Sequence, residues 1–178
     1  MNSIAIQELI NRWQAGQLDW ATVDVALRAA YADTAATAEA MVDLDRLPRC
    51  GYPEVVFGTG KTPEAVVSVF RAQQTAGQNS LATRVTPEQV ARVSSEFPDS
   101  HYNEVARTIS VMRQASDSRG RVVVVTAGTS DRPVAEEALE TVRWMGCNAD
   151  LLVDVGVAGP HRLLAHRHRF DDADAVVV

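Results

Sequence analysis

The run Arg121-Val-Val-Val-Val-Thr126 constrains this chain most. Four consecutive valines are β-branched and stiff, too short for a membrane helix and too apolar for a solvated edge, so they predict a strand buried on both faces. The chain then turns through Ala127-Gly128-Thr129-Ser130-Asp131 into an amphipathic run from Pro133 to Met145, with Val134, Ala138, Leu139, Val142 and Met145 on one face. Ser130 or Asp131 is a natural N-cap, and Pro133 suits the first turn. A second apolar run, Ala-Asp-Leu-Leu-Val-Asp-Val from Ala149, ends in the loop Gly156-Val157-Ala158-Gly159-Pro160-His161-Arg162. Strand, helix and strand in that order imply a parallel sheet. Its carboxyl edge would carry Ser130/Asp131 and His161/Arg162, which is where open α/β sheets bind ligands.

The chain has 178 residues, 46% hydrophobic and 22% charged, as expected of one ordinary or two small globular domains. No run approaches 18 apolar residues, and the start Met-Asn-Ser-Ile-Ala-Ile lacks the basic-then-apolar order of a signal peptide, so a cytoplasmic protein that neither enters nor crosses a membrane is expected. A formal charge of −6 argues against a general nucleic-acid binder. Cys50 and Cys147 have no CxxC partner and read as buried or half-buried thiols. His161, His166 and His168 do not stack on one helix face, so no metal site is expected there.

Ahead of the valine run, Ile6, Leu9, Ile10 and Trp13 predict one helix, and Asp19 to about Tyr31, with Val23, Leu27 and Ala30, predicts another; Gly16 divides them. The stretch Ala32 to Ala40 is left open between helix and connector. Asp43 to Gly51 reads as an ordered loop, Glu54 to Phe57 as a strand, and Pro63 begins a helix with Val66, Val69 and Phe70 inward. Gly60-Lys61-Thr62 is not a P-loop, because the glycine such a loop needs is Val55 here, although a lysine beside a helix start can hold an anion. Leu81 to Val85 predicts a strand, and Thr86-Pro87-Glu88-Gln89 a capping box opening a helix to about Ser95. Val105 to Met112 is ambiguous between strand and helix. Gln114 to Gly120 reads as the linker between an N-terminal α+β domain, residues 1–114, and a second domain, residues 121–178. In the latter, His161 to His168 predicts a short helix and Ala175 to Val178 a third strand. An unprotected end on three valines suggests a truncated form.

The segments VVVVTAGTSDRPVAEEALETVRWMGCNADLLVDVGVAGPHRLL and LDRLPRCGYPEVVFGTGKTPE resemble the pyridinium-3,5-biscarboxylic acid mononucleotide synthase (LarB) family, from about Asp43 to Val178. The second domain is then similar to aminoimidazole ribonucleotide carboxylase (PurE), and would be the first half of a PurE-like, flavodoxin-like parallel sheet with flanking helices. The resemblance implies carboxylation of the pyridinium ring of nicotinic acid adenine dinucleotide with CO2 or bicarbonate, and hydrolysis of the phosphoanhydride to release AMP. The product begins the nickel-pincer nucleotide of lactate racemase. Gly128, Thr129, Ser130 and Asp131 would hold phosphate or ribose, against the plainer reading of Ser130/Asp131 as a cap alone. His161 would transfer a proton and Arg162 would meet phosphate, where without the resemblance His161 reads as a helix-start or packing residue. Asp43, Arg46, Arg49, Glu54 and Lys61 match a charged motif that binds the adenylate half or simply ties a loop with ion pairs. The family's cysteine nucleophile falls beyond Val178, and neither Cys50 nor Cys147 matches it. A small-molecule nucleotide substrate and a homo-oligomer are expected, with no tightly bound cofactor and Mg the one cation left open. Aminoimidazole ribonucleotide carboxylation and a non-catalytic nucleotide-binding remnant are the alternative readings.

Overall fold

The structure, a computed structural model, describes residues 3–30, 34–36, 41–113 and 120–178. The expected linker lies outside these apart from Gly120, as does most of the stretch Ala32 to Ala40. The architecture is α/β.

Helices α1 (Ser3–Gln14) and α2 (Trp20–Ala30) form a hairpin whose turn places Gly16 at φ +69. Asp19 accepts from the Thr22 N–H at 2.8 Å, starting α2, and Trp13 meets Trp20 edge-on with ring centroids 5.5 Å apart. Strands β1 (Thr34–Ala36) and β2 (Met41–Asp43) pair antiparallel. The segment expected to be an ordered loop contains the end of β2 and a five-residue helix, α3 (Arg46–Cys50). Pro48 is tolerated because the first turn has no intrahelical partner for its missing N–H, and Gly51 at φ +82 closes the helix by donating to Leu47 O at 2.8 Å. Cys50, expected to be buried or half-buried, is exposed there; Cys147 is half-buried.

A four-stranded mixed sheet follows, in the order β3-β4-β6-β5, from β3 (Val56–Phe57), β4 (Ser80–Thr83), β5 (His101–Asn103) and β6 (Thr108–Val111). β3 and β4 are parallel; the ambiguous Val105 to Met112 resolves into a turn and strand β6, paired antiparallel to both β4 and β5. Helix α4 (Pro63–Thr75) is capped by the Thr62 hydroxyl, which explains the Gly-Lys-Thr triplet as a helix start. Helix α5 (Pro87–Glu96) opens with the expected capping box of Thr86 and Gln89. Val66 and Phe70 of α4, Val93 of α5, Ala82 of β4 and Ile109 of β6 have no accessible surface.

The last sheet is parallel throughout, in the order β8-β7-β9, from β7 (Arg121–Val125), β8 (Asn148–Leu152) and β9 (Ala175–Val177). Written in chain order this is 2-1-3, the order that begins a flavodoxin-like sheet. Helix α6 (Arg132–Trp144) joins β7 to β8, and α7 (Pro160–Ala165) with a 3-10 turn at Arg167–Arg169 joins β8 to β9. Alternation sorts the valines: Val124 packs with Ala135 and Leu139 of α6, while Val123 packs with Leu152, Val155 and Phe170 on the other face. The helix face differs from expectation in one respect. Ala135, Leu139 and Trp144 are buried, whereas Val134, a third of a turn round, is 58% exposed. Among the described residues no helix is long and apolar enough to cross a membrane.

Candidate functional site

Two loops leave the carboxyl ends of β7 and β8, and they are stitched together. Val155 N–H donates to Thr126 O at 3.3 Å, and Gly156 N–H donates to Ala127 O at 3.2 Å. The approach is so close that a Cβ at Gly156 would stand 2.8 Å from Ala127 O, which explains a glycine there. Ser130/Asp131 and His161/Arg162 are therefore presented on one edge of the sheet.

Within the first loop, Thr129–Asp131 form a 3-10 turn running directly into α6. Ser130 and Asp131 do not cap α6 as expected. Asp131 has helical backbone angles, and its carboxylate turns back to accept from Gly128 N–H at 3.3 Å and from the Thr126 hydroxyl at 3.4 Å. The Ser130 hydroxyl lies 3.4 Å from the other Asp131 oxygen. The turn is thus closed by its own carboxylate, and the helix start faces the loop.

In the second loop, Asp154 occupies the left-handed region at φ +61 and pairs with the Arg162 guanidinium. That guanidinium folds over Gly159, where a Cβ would come 2.5 Å from its Nε. His161, the second residue of α7, is exposed. Beside these loops an apolar depression of about 590 Å³ is bordered by Val125, Thr126, Asp131, Val134, Phe170 and Val177, among others.

The charged motif of the N-terminal region is partly self-satisfied. Arg49 pairs with Asp43 at 2.6 Å, and the hydrogen bond it donates to the Asp43 carboxylate holds the guanidinium above its ordinary pKa. Asp43 N–H donates to the Glu54 carboxylate at 2.9 Å. Arg46 and Lys61 are exposed, at the start of α3 and just before α4. The Gly58–Lys61 turn is pinned by Gln89, which has 2% exposure and donates to Gly58 O and Lys61 O, both at 2.8 Å. A loop tied from both carbonyls beside a helix start is a fixed platform for Lys61.

Residues 34–114 match the LarB/PurE-like N-terminal domain. The uncharacterized protein MJ0165 of Methanocaldococcus jannaschii is 34% identical over 146 residues, covering 77% of this chain and 56% of that protein. The chain thus spans little more than half the length of this curated relative. The matched stretch includes the Asp43–Arg49 pair, Glu54, Lys61 and the Gln89 pin, whereas the loops of β7 and β8 lie after it.

Three residues with a part in this geometry escape a reading of motifs: Thr126, Asp154 and Gln89. Asp154 had a signal, a carboxylate interrupting an apolar strand end. Gln89 was legible only as a cap, because its contacts with Gly58 and Lys61 span 31 and 28 residues.

Proposed function

We propose that this chain carries the nucleotide-holding part of a pyridinium carboxylase that acts on nicotinic acid adenine dinucleotide. CO2 is added to the ring, the phosphoanhydride is hydrolysed, and AMP leaves; the product feeds nickel-pincer nucleotide synthesis for lactate racemase. In this reading the turn Gly128 to Asp131 takes phosphate through the amides of Thr129 and Ser130, the Gly128 amide being held by the Asp131 carboxylate; the Arg162 fork adds a second contact, His161 moves the ring proton, and Arg46, Arg49 and Lys61 take the adenylate half. An electron-poor pyridinium carbon does not attack CO2 unaided, so a nucleophile must first add to the ring and make it enamine-like, and the cysteine of the resemblance suits that step. The enzyme works as a cytoplasmic homo-oligomer, with CO2 or bicarbonate as co-substrate and no tightly bound cofactor.

The observation that carries this reading is the seam between the two carboxyl-edge loops, in which the hydrogen bonds from Val155 N–H to Thr126 O and from Gly156 N–H to Ala127 O join the loop leading to Ser130 and Asp131 to the loop leading to His161 and Arg162. The match of residues 34–114 supports the same assignment. Calorimetric titration tests it. The dinucleotide should bind this chain, and Arg162→Ala should weaken it by roughly tenfold or more, the loss of a charged hydrogen bond. Binding of aminoimidazole ribonucleotide with none of the dinucleotide, or no loss on Arg162→Ala, would overturn it.

A further inference from the structure

Arg84 follows β4 with its backbone in the left-handed region, at φ +54. Glycine adopts that conformation freely and an arginine only with strain, so the reason for an arginine must be sought in its side chain. The guanidinium crosses to α6 and pairs with Glu137, with side-chain exposures of 37% and 20%. Helix α6 also touches β4 and β6, and His101 approaches Glu140 of the same helix at 3.9 Å. Meanwhile the backbone of Arg84 lies against the other loop. Gly58 N–H donates to Thr83 O at 2.8 Å, and a Cβ at Gly58 would stand 2.9 Å from Thr83 O and 3.2 Å from Arg84 O.

One residue therefore meets the Gly58–Lys61 turn with its main chain and α6 with its side chain. We infer that Arg84 is a positioning residue: it fixes α6, and with it the Gly128–Asp131 turn at the helix start, relative to the Lys61 platform. That these loops serve a single nucleotide rests on the function proposed above; the mechanical link between them does not.

Arg84→Gly separates this role from a local one, because it relieves the backbone while removing the guanidinium. Amide hydrogen exchange should accelerate at residues 135–140 of α6 by roughly threefold to tenfold, and stay within roughly twofold in β4 and α5. Glu137→Gln should reproduce the effect, and the exchanged pair Arg84→Glu with Glu137→Arg should restore protection. Binding of nicotinic acid adenine dinucleotide should weaken several-fold in both single variants and recover in the double one. Unchanged exchange in α6 of both single variants would overturn the inference. If the wild-type chain bound no dinucleotide, the proposed function would fail while the exchange measurement still decided the role of Arg84.

Discussion

The two sheets are held in opposite ways. In the mixed sheet Phe70, Val66 and Ile109 are fully enclosed between helices and strands, so a large apolar core holds the sheet, and the Gly58–Lys61 turn at its edge is tied to that core through the buried Gln89. In the parallel sheet the buried clusters are small, Val176 and Val177 of β9 are 48% and 38% exposed, and the carboxyl-edge loops are fixed by hydrogen bonds to each other. Stability and the geometry of the β7 and β8 loops are therefore separable. Truncating the first core should unfold the protein without addressing the site, while small changes at the loop seam should alter the site with little unfolding.

The largest expected effect tests the first half of that contrast. Phe70→Ala should lower stability by about 3–5 kcal/mol, whereas Val176→Ala should stay within about 0.5 kcal/mol, as read from denaturant midpoints. Similar losses from both would erase the distinction. Next comes the seam. Gly156→Ala drives a methyl into a backbone carbonyl that has little room to move, and should cost about 1–3 kcal/mol. The same change should speed amide exchange at Val155 and Gly156 while leaving Ile109 protected; unaltered exchange would mean that the loops are not joined there.

The smallest effect is electrostatic. Arg121 hydrogen-bonds Asp150 and, with help from Arg169, holds its pKa below the ordinary 3.8. A depressed carboxylate stabilises the fold above its unfolded value and loses that contribution as pH falls through the folded one. The pair is substantially exposed, so Asp150→Asn should cost less than about 1 kcal/mol at neutral pH. That gap should close as pH falls below 3.8; a gap that widened in acid would reverse the assignment.

Local chemistry made much of this legible. The valine run, the Thr86 capping box and Gly16 each act within a few residues, and each element formed where its residues dictate. The short strands β1, β2 and β5 have three residues each, and their pairing partners decide them more than their composition does. Helix α3 was hidden by Pro48, which reads as a breaker unless the helix is known to begin two residues earlier. In the site, the placement of Ser130/Asp131 and His161/Arg162 on one edge followed from the strand order. What could not be read was how the charges are spent: Asp131 on its own turn, Arg162 on Asp154, Arg84 on Glu137. Those choices depend on backbone angles at Asp154 and Arg84 that only the folded chain sets.

On the function proposed above, a nucleotide site lies on the joined loops of β7 and β8. Amide chemical shifts of the labelled chain, followed during titration with nicotinic acid adenine dinucleotide, test it most directly. Signals of Gly128 to Arg132 and of Gly156 to Arg162 should move together along a single binding curve; shifts confined to other regions, or none at all, would overturn the proposed site.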